Sequence, residues 1–249
     1  GKLGTGGFAS VWLCNDTRRD KNKLVALKVY RAVDRYQRYA QEEVEMLEAV
    51  AEGRGCQRLP ELYGLFAHHG LQCQHACVAM EVMGPSAYCL AERCRGNRLP
   101  WPLLWAALRD SLIALDHLHR VCSVIHTDIK PENILFTFSE GSDMDSLLHR
   151  CRQRFMGRNC RLQLIDLALE EGEKASFGLV DLGNSCYRDN HISPNITTLE
   201  YKAVEVMMNA GYDTSADIWS LACSIYELGT GRYLFDPRCM EARPKGWQA

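Results

Sequence analysis

The sequence predicts an α+β chain in two lobes: a small antiparallel sheet with one main helix over residues 1–83, then a mainly helical part over 84–249. Three observations predict it. Short β-favouring runs crowd the first eighty or so residues, Gly84-Pro85 punctuates the chain, and an apolar helical run, "TSADIWSLACSIYELGTG", comes late. With 249 residues, 47% hydrophobic and 24% charged, the composition is that of a globular protein with material for a core. The formal net charge of -2 argues against a general nucleic-acid binder. No apolar run reaches membrane-spanning length. The 12 Cys come without a CxxC pair or a charged-then-apolar leader. They read as reduced thiols, so a cytoplasmic or nuclear protein is expected.

The elements follow in order. "FASVWLCND" and "KLVALKVYR" are strands joined by a polar turn around Asp16 to Asn22. In the next helix Tyr36, Ala40, Glu43, Leu47 and Val50 share one face, so Glu43 lies inside an apolar stripe. A carboxylate there needs a partner or escapes to solvent at the stripe's edge. "ELYGLFAHHG" and "HACVAMEVMG" are further strands. The His/Cys cluster His68 to Cys77 matches no common zinc spacing, and a strand-loop-strand with incidental Cys and His explains it equally well. From Leu103 to His119 a helix begins after Pro102, with Leu104, Leu108, Leu112 and Leu115 giving its period. The late run is apolar nearly all round, which predicts a buried central helix. Asp213 or Thr214 is its N-cap candidate, and Gly229 stands just past its end. Residues 138–176, rich in Ser, Gly, Asp, Glu and Arg, read as an insertion, partly disordered or locally folded.

The motifs gain force from their order. "LGTGGFASV" sets Gly4, Gly6 and Ala9 ahead of Val11 as a glycine-rich hairpin able to approach phosphates closely. In "VALK", Lys28 ends an apolar strand run, either as a solvated edge ammonium or as the partner Glu43 needs. In "VIHTDIKPENILF", Asp128 and Asn133 are spaced D-x-x-x-x-N with Lys130 between. Phosphoryl transfer needs a carboxylate to orient a hydroxyl and accept its proton. It also needs an amide oxygen for Mg²⁺ and a cation for the moving phosphoryl group. "DLG" then offers Asp181 as a second metal-binding carboxylate, and "DIWS" opens the buried helix with Asp217.

Together these motifs resemble a eukaryotic serine/threonine protein kinase domain of bilobal fold, incomplete in its larger lobe. The resemblance narrows to the SR-protein kinases in "HTDIKPENIL", in DLG followed by "NSC", in "GYDTSADIWSLAC" and in "YLFDP". It covers Gly1 to about Pro237 apart from the insertion. It implies that Gly4, Gly6, Ala9, Val11, Ala26 and Lys28 enclose ATP, and that Glu43 holds Lys28. The Glu81 carbonyl and the Met83 amide would meet the adenine, with Met80 as gatekeeper and Leu135 beneath; for Met80 and Leu135 a plain core role fits the sequence equally. Asp128 and Lys130 would be catalytic, and Asn133 and Asp181 would bind Mg²⁺. Asp217 would accept backbone N–H bonds from the catalytic loop, beside its ordinary value as a first-turn helix charge. The implied partners are Arg/Ser-rich splicing factors, with no direct contact to nucleic acid or membrane, and the implied state is a cytoplasmic and nuclear monomer.

Thr127 stands where most such loops have an Arg that anchors an activation-segment phosphate. Thr cannot form that charged fork, so the resemblance implies activity without the phosphate. Three departures stand out. Lys202 and Arg232 replace an expected Arg and an expected acid, and Glu205 lacks the Arg that would normally pair with it further along such a domain. The rival expectation is a pseudokinase or nucleotide-binding scaffold, or an inactive fragment of a kinase.

Overall fold

A computed structural model describes residues 1–17, 23–53, 55–70, 73–137 and 175–240, together with Ile165, Ala168 and Leu169. Its first lobe is a five-stranded antiparallel sheet built from β1 (Lys2–Thr5), β2 (Ala9–Asp16), β3 (Lys23–Tyr30), β4 (Leu62–His69) and β5 (Gln74–Met80). The order across the sheet is β1-β2-β3-β5-β4. Helix α1 (Asp34–Glu52) buries Tyr36, Ala40, Glu43, Leu47 and Val50, the stripe expected from their spacing. Its first half meets Ala9, Tyr30 and Val78 of the sheet in a small core. Its second half reaches the larger core through Met46, Leu47 and Val50.

The second lobe contains α2 (Ala87–Arg93), α3 (Trp101–Asp116) and the short strands β6 (Val124–Ile125), β7 (Ile134–Thr137), β8 (Ser176–Leu179) and β9 (Cys186–Tyr187). It continues with α4 (Val204–Met207) and α5 (Ser215–Thr230). The α+β, two-part architecture is the one the sequence predicts. Most of segment 138–176 lies outside the described residues; Ser176, its last residue, opens β8, and the buried Ile165 and Ala168 join the core.

Two helix readings need correction. The leucine period of α3 marks its buried face only in part: Leu115 is buried but Leu112 is 43% exposed, and Leu103, Ala106, Ala107, Asp110 and Ala114 make up the rest of that face. Small alanines allow the close approach to β8 and α5, whereas Leu104 and Leu108 are only partly covered. The helix also starts at Trp101, with Pro102 tolerated in its first turn, where an N–H has no helical partner anyway. Helix α5 runs through Gly229 and stops at Gly231, whose φ of 71° suits a glycine at the left-handed cap position.

One contact between the lobes depends on Gly178. The Leu179 N–H donates to the Arg58 carbonyl at 2.8 Å, and a Cβ at Gly178 would stand 2.8 Å from that same carbonyl oxygen. Only a residue without a side chain lets β8 come this close to the loop between α1 and β4.

Candidate active site

Sheet register assembles the first half of the site. Gly4 lies opposite Val11, and Val11 opposite Lys28, so hairpin and lysine occupy adjacent strands. Ala9 is buried, its carbonyl accepts the Gly6 N–H at 2.9 Å, and Ala26 pairs with Met80. Lys28 Nζ lies 2.6 Å from Glu43 Oε1 and 2.8 Å from Asp181 Oδ1. Burial alone would lower the Lys28 pKa, but the charges of Glu43 and Asp181 hold it well above its usual value. For Asp181, burial pushes upward and the Lys28 charge outweighs it, leaving the carboxyl below its usual range. The Tyr30 hydroxyl donates to the other Glu43 oxygen at 2.6 Å.

The second half rests on α5. Asp217, 1% exposed, accepts the backbone N–H of His126 at 2.8 Å and of Thr127 at 2.9 Å, and lies 2.8 Å from His119 Nε2. His126 Nε2 donates to the Val180 carbonyl at 3.0 Å, leaving Nδ1 to accept the Asp128 N–H. The Val180 N–H donates to the Asn133 carbonyl at 3.0 Å, which sets Asp181 beside Asn133. Thr127, Asp181 and Thr197 each adopt φ of 69°, a strained region for non-glycine residues.

Around Asp128 the functional side chains meet directly. Lys130 Nζ is 2.6 Å from Asp128 Oδ2, and the Thr198 hydroxyl donates to Oδ1 at 3.2 Å. Asn133 donates its amide hydrogens to the Asp128 carbonyl at 2.8 Å and to Oδ2 at 3.4 Å. Its Oδ1 is thus the atom left to take a cation. One amide oxygen and the Asp181 carboxylate suit Mg²⁺, which takes few protein ligands and completes its shell with phosphates and water. Lys28 thus meets Asp181 and Asn133 meets Asp128, and the Val180–Asn133 backbone bond joins the two pairs.

Thr127 connects two segments by neutral hydrogen bonds. Its hydroxyl donates to the Asn184 carbonyl at 2.8 Å, and its own carbonyl accepts the Thr197 hydroxyl at 2.8 Å. Ser185 adds a bond to the His126 carbonyl at 3.2 Å. Further out, Tyr212 OH donates to the Ser193 carbonyl at 2.9 Å and stacks on His191.

The remaining expected residues lie at the junction of the lobes. Glu81 lies in the chain leaving β5, where partial desolvation of its carboxyl group raises its pKa although the residue as a whole is exposed. Met83 is buried, with its methyl close to where a Gly178 side chain would be. Leu135, half-buried on β7, pairs with Gly178 and bridges to Ser86. Of the departures, Lys202 donates to Asn195 Oδ1 at 2.6 Å and Arg232 is exposed. Glu205, in α4, is half-buried.

Two residues escaped the sequence reading. Asp110, fully buried on α3, accepts from Phe177 N and Ser176 Oγ at 2.9 and 3.0 Å, and meets Arg109 and Arg58 at 2.8 and 3.3 Å. It follows Leu103 and Ala107 and precedes Ala114 at the same offsets by which Glu43 follows Tyr36 and Ala40 and precedes Leu47. That signal was available. Tyr30 had the weaker one of lying two residues beyond Lys28, on the same strand face. Of the His68 to Cys77 stretch, the described residues place His68 opposite His75 and His69 opposite Gln74 in the β4–β5 pair, and Cys73 Sγ is 3.4 Å from His75 Nε2. Among the described residues no three His, Cys, Asp or Glu side chains group to hold a metal.

Comparison with known proteins agrees with this geometry. A protein kinase domain profile matches residues 1–243. The chain is 30% identical to the serine/threonine-protein kinase SRPK of Physarum polycephalum, over 95% of this chain and 61% of that protein. It is 27% identical to protein kinase dsk1 of Schizosaccharomyces pombe, again over 95% and 61%. It is 23% identical to SRSF protein kinase 3 of Mus musculus, over 96% and 68%. A crystal structure of a kinase domain matches with a TM-score of 0.71 at 27% identity, covering 94% of this chain and 64% of that one. The chain thus spans about three fifths of the length of the first two relatives.

Proposed function

The chain belongs to the protein kinase domain family, and we propose that it transfers the γ-phosphoryl group of ATP to serine or threonine hydroxyls in Arg/Ser-rich splicing factors. The observation that carries this reading is the meeting of Lys28 with both Glu43 and Asp181, beside Asp128 and Asn133. In this reading Gly4, Gly6, Ala9, Val11 and Ala26 enclose the nucleotide with Lys28, and Glu81 and Met83 meet its adenine over Leu135. Lys28, held by Glu43, faces the phosphates. Asp128 orients the acceptor hydroxyl and takes its proton, and Lys130 neutralises charge on the moving group. Asn133 and Asp181 hold Mg²⁺, which supplies charge neutralisation to the phosphates.

The finer substrate class is supported by charge. Glu227 has its pKa raised by burial and further by crowding from Glu132 and Glu200, against the effect of a 2.6 Å hydrogen bond from Tyr201. Glu132 follows directly on the Lys130-Pro131 step of the catalytic loop, and Glu200 lies two residues beyond Thr198. An arginine-rich peptide would relieve this mutual repulsion while presenting a hydroxyl to Asp128. The names of the relatives agree with that class. A cytoplasmic and nuclear residence and a monomeric state go with the reading.

The test is phosphate incorporation by the full-length protein into an Arg-Ser repeat peptide and into a Pro-directed peptide, with Asp128→Asn as control. The expected result is transfer to the Arg-Ser peptide at least tenfold faster than to the other, with the control losing about a hundredfold or more. Equal rates would remove the substrate class. ATP binding without transfer to either peptide would leave a nucleotide-binding scaffold.

A further inference from the structure

We propose that Tyr30 is a positioning residue for the nucleotide site, holding Glu43 from the side opposite Lys28 and so keeping α1 where the ion pair can form. The inference rests on the nucleotide-binding reading above and assigns a role to a side chain that reading leaves unused.

Glu43 has two oxygens and each has its own partner. Lys28 Nζ is 2.6 Å from Oε1, and the Tyr30 hydroxyl donates to Oε2 at 2.6 Å. A carboxylate held at one oxygen can turn about its last, soft torsion; held at both, it cannot. Both partners come from β3, where Lys28 and Tyr30 are two residues apart and point to the same face. One rigid strand therefore grips one carboxylate of α1 at two points.

Tyr30 is well built for this. Its ring is 2% exposed and packs with Ala9, Tyr36, Ala40, Val44 and Val78. Its backbone carbonyl accepts a hydrogen bond from His75 Nδ1 at 2.7 Å, so the neighbouring strand fixes its main chain. Burial, then the nearby Glu43 charge, keeps the phenol protonated despite the opposing pull of Lys28, so it is a donor. The contacts also converge on the loop after β8. A Cβ at Gly183 would lie 3.8 Å from Asp181 Oδ1, from Glu43 Cβ and from the Tyr30 oxygen alike. Tyr30 thus borders the place where β3, α1 and the Asp181 loop meet. Elsewhere, Thr127 ties Asn184 and Thr197 to the catalytic loop.

The experiment is a double-mutant cycle on the full-length protein with Tyr30→Phe, Glu43→Gln and the two together. Phe keeps the ring and removes only the hydroxyl, and thermal unfolding checks that all four proteins fold. Two readouts are taken: Mg-ATP affinity, by displacement of a fluorescent ATP analogue, and kcat and KM for ATP. Tyr30→Phe is expected to weaken Mg-ATP affinity roughly tenfold, as loss of a hydrogen bond to a charged group would. In the Glu43→Gln background the same change is expected to matter less than twofold, because its partner has already been altered. A merely structural Tyr30 would lower the melting temperature equally in both backgrounds and leave affinity unchanged, and that result overturns the proposal. So does simple multiplication of the two losses. If the wild type binds Mg-ATP but transfers no phosphate, the kinase reading fails while the affinity cycle still decides Tyr30. Absence of Mg-ATP binding by the wild type overturns both.

Discussion

The two halves of the site are organised by opposite means. Around Lys28, charges hold charges: an ammonium from β3, a carboxylate from α1 and a carboxylate after β8 meet within 2.8 Å, so the groups proposed to act on nucleotide also make the framework. Around Asp128 the framework is a different residue. Asp217 takes two backbone N–H groups of the catalytic loop from beneath, and this leaves Asp128, Lys130 and Asn133 to meet one another. The difference teaches where each half is vulnerable. The first depends on protonation and on every partner being present. The second depends chiefly on one buried acceptor, Asp217, which also meets His119.

The largest effect that would test this contrast is Asp217→Ala. It leaves two buried N–H groups and the His119 imidazole without their acceptor, and each orphaned buried group costs about 1–3 kcal/mol. A loss of about 4 kcal/mol in chemical denaturation is expected. A loss below about 1 kcal/mol would mean that the loop is held by something else. A smaller effect is expected from Thr127→Val, which keeps the shape and removes the bond to the Asn184 carbonyl. It should cost about 1 kcal/mol and lower turnover several-fold, whereas phosphatase treatment of the wild type should leave turnover unchanged. A strong phosphatase effect would show that a phosphate, rather than Thr127, orders this segment.

The smallest expected effect is confined to acid and belongs to the charged half. The folded-state pKa of Asp181 lies below its usual value. Its contribution to stability is therefore present above about pH 4 and is lost as pH falls through the lower folded value. The stability difference between wild type and Asp181→Asn should close as pH drops below about 4, in denaturation series run at several pH values. The Asp217→Ala difference should keep most of its size there, since loss of backbone hydrogen bonding dominates it. If both differences closed together, the contrast between the halves would be false.

Legibility followed the same division. The stripe containing Glu43 was readable because helical spacing alone places Tyr36, Ala40, Glu43, Leu47 and Val50 on one face, and all five are buried. The same spacing on α3 held Asp110, yet the leucines drew attention to a face that is partly exposed. Hydrophobicity ranked Leu above Ala, whereas close packing against β8 and α5 favoured small residues. The end of α5 was misplaced by two residues because Gly229 and Gly231 look alike in sequence, and only the backbone shows which takes a positive φ. Tyr30 was readable as a strand residue but not as a donor, since nothing on its own strand says what lies across from it.

By itself, then, the sequence determined relations that a regular backbone imposes over short distances: the helical face of Glu43, the shared strand face of Lys28 and Tyr30, and the D-x-x-x-x-N spacing of Asp128 and Asn133. Tertiary structure alone decided the partners of those groups. Lys28 meets Asp181 across 153 residues, and His126 meets Asp217 across 91. Local periodicity has no hold at such separations, where position depends on how whole elements pack. Packing in turn answers to volume, burial and the need to pair every buried polar atom.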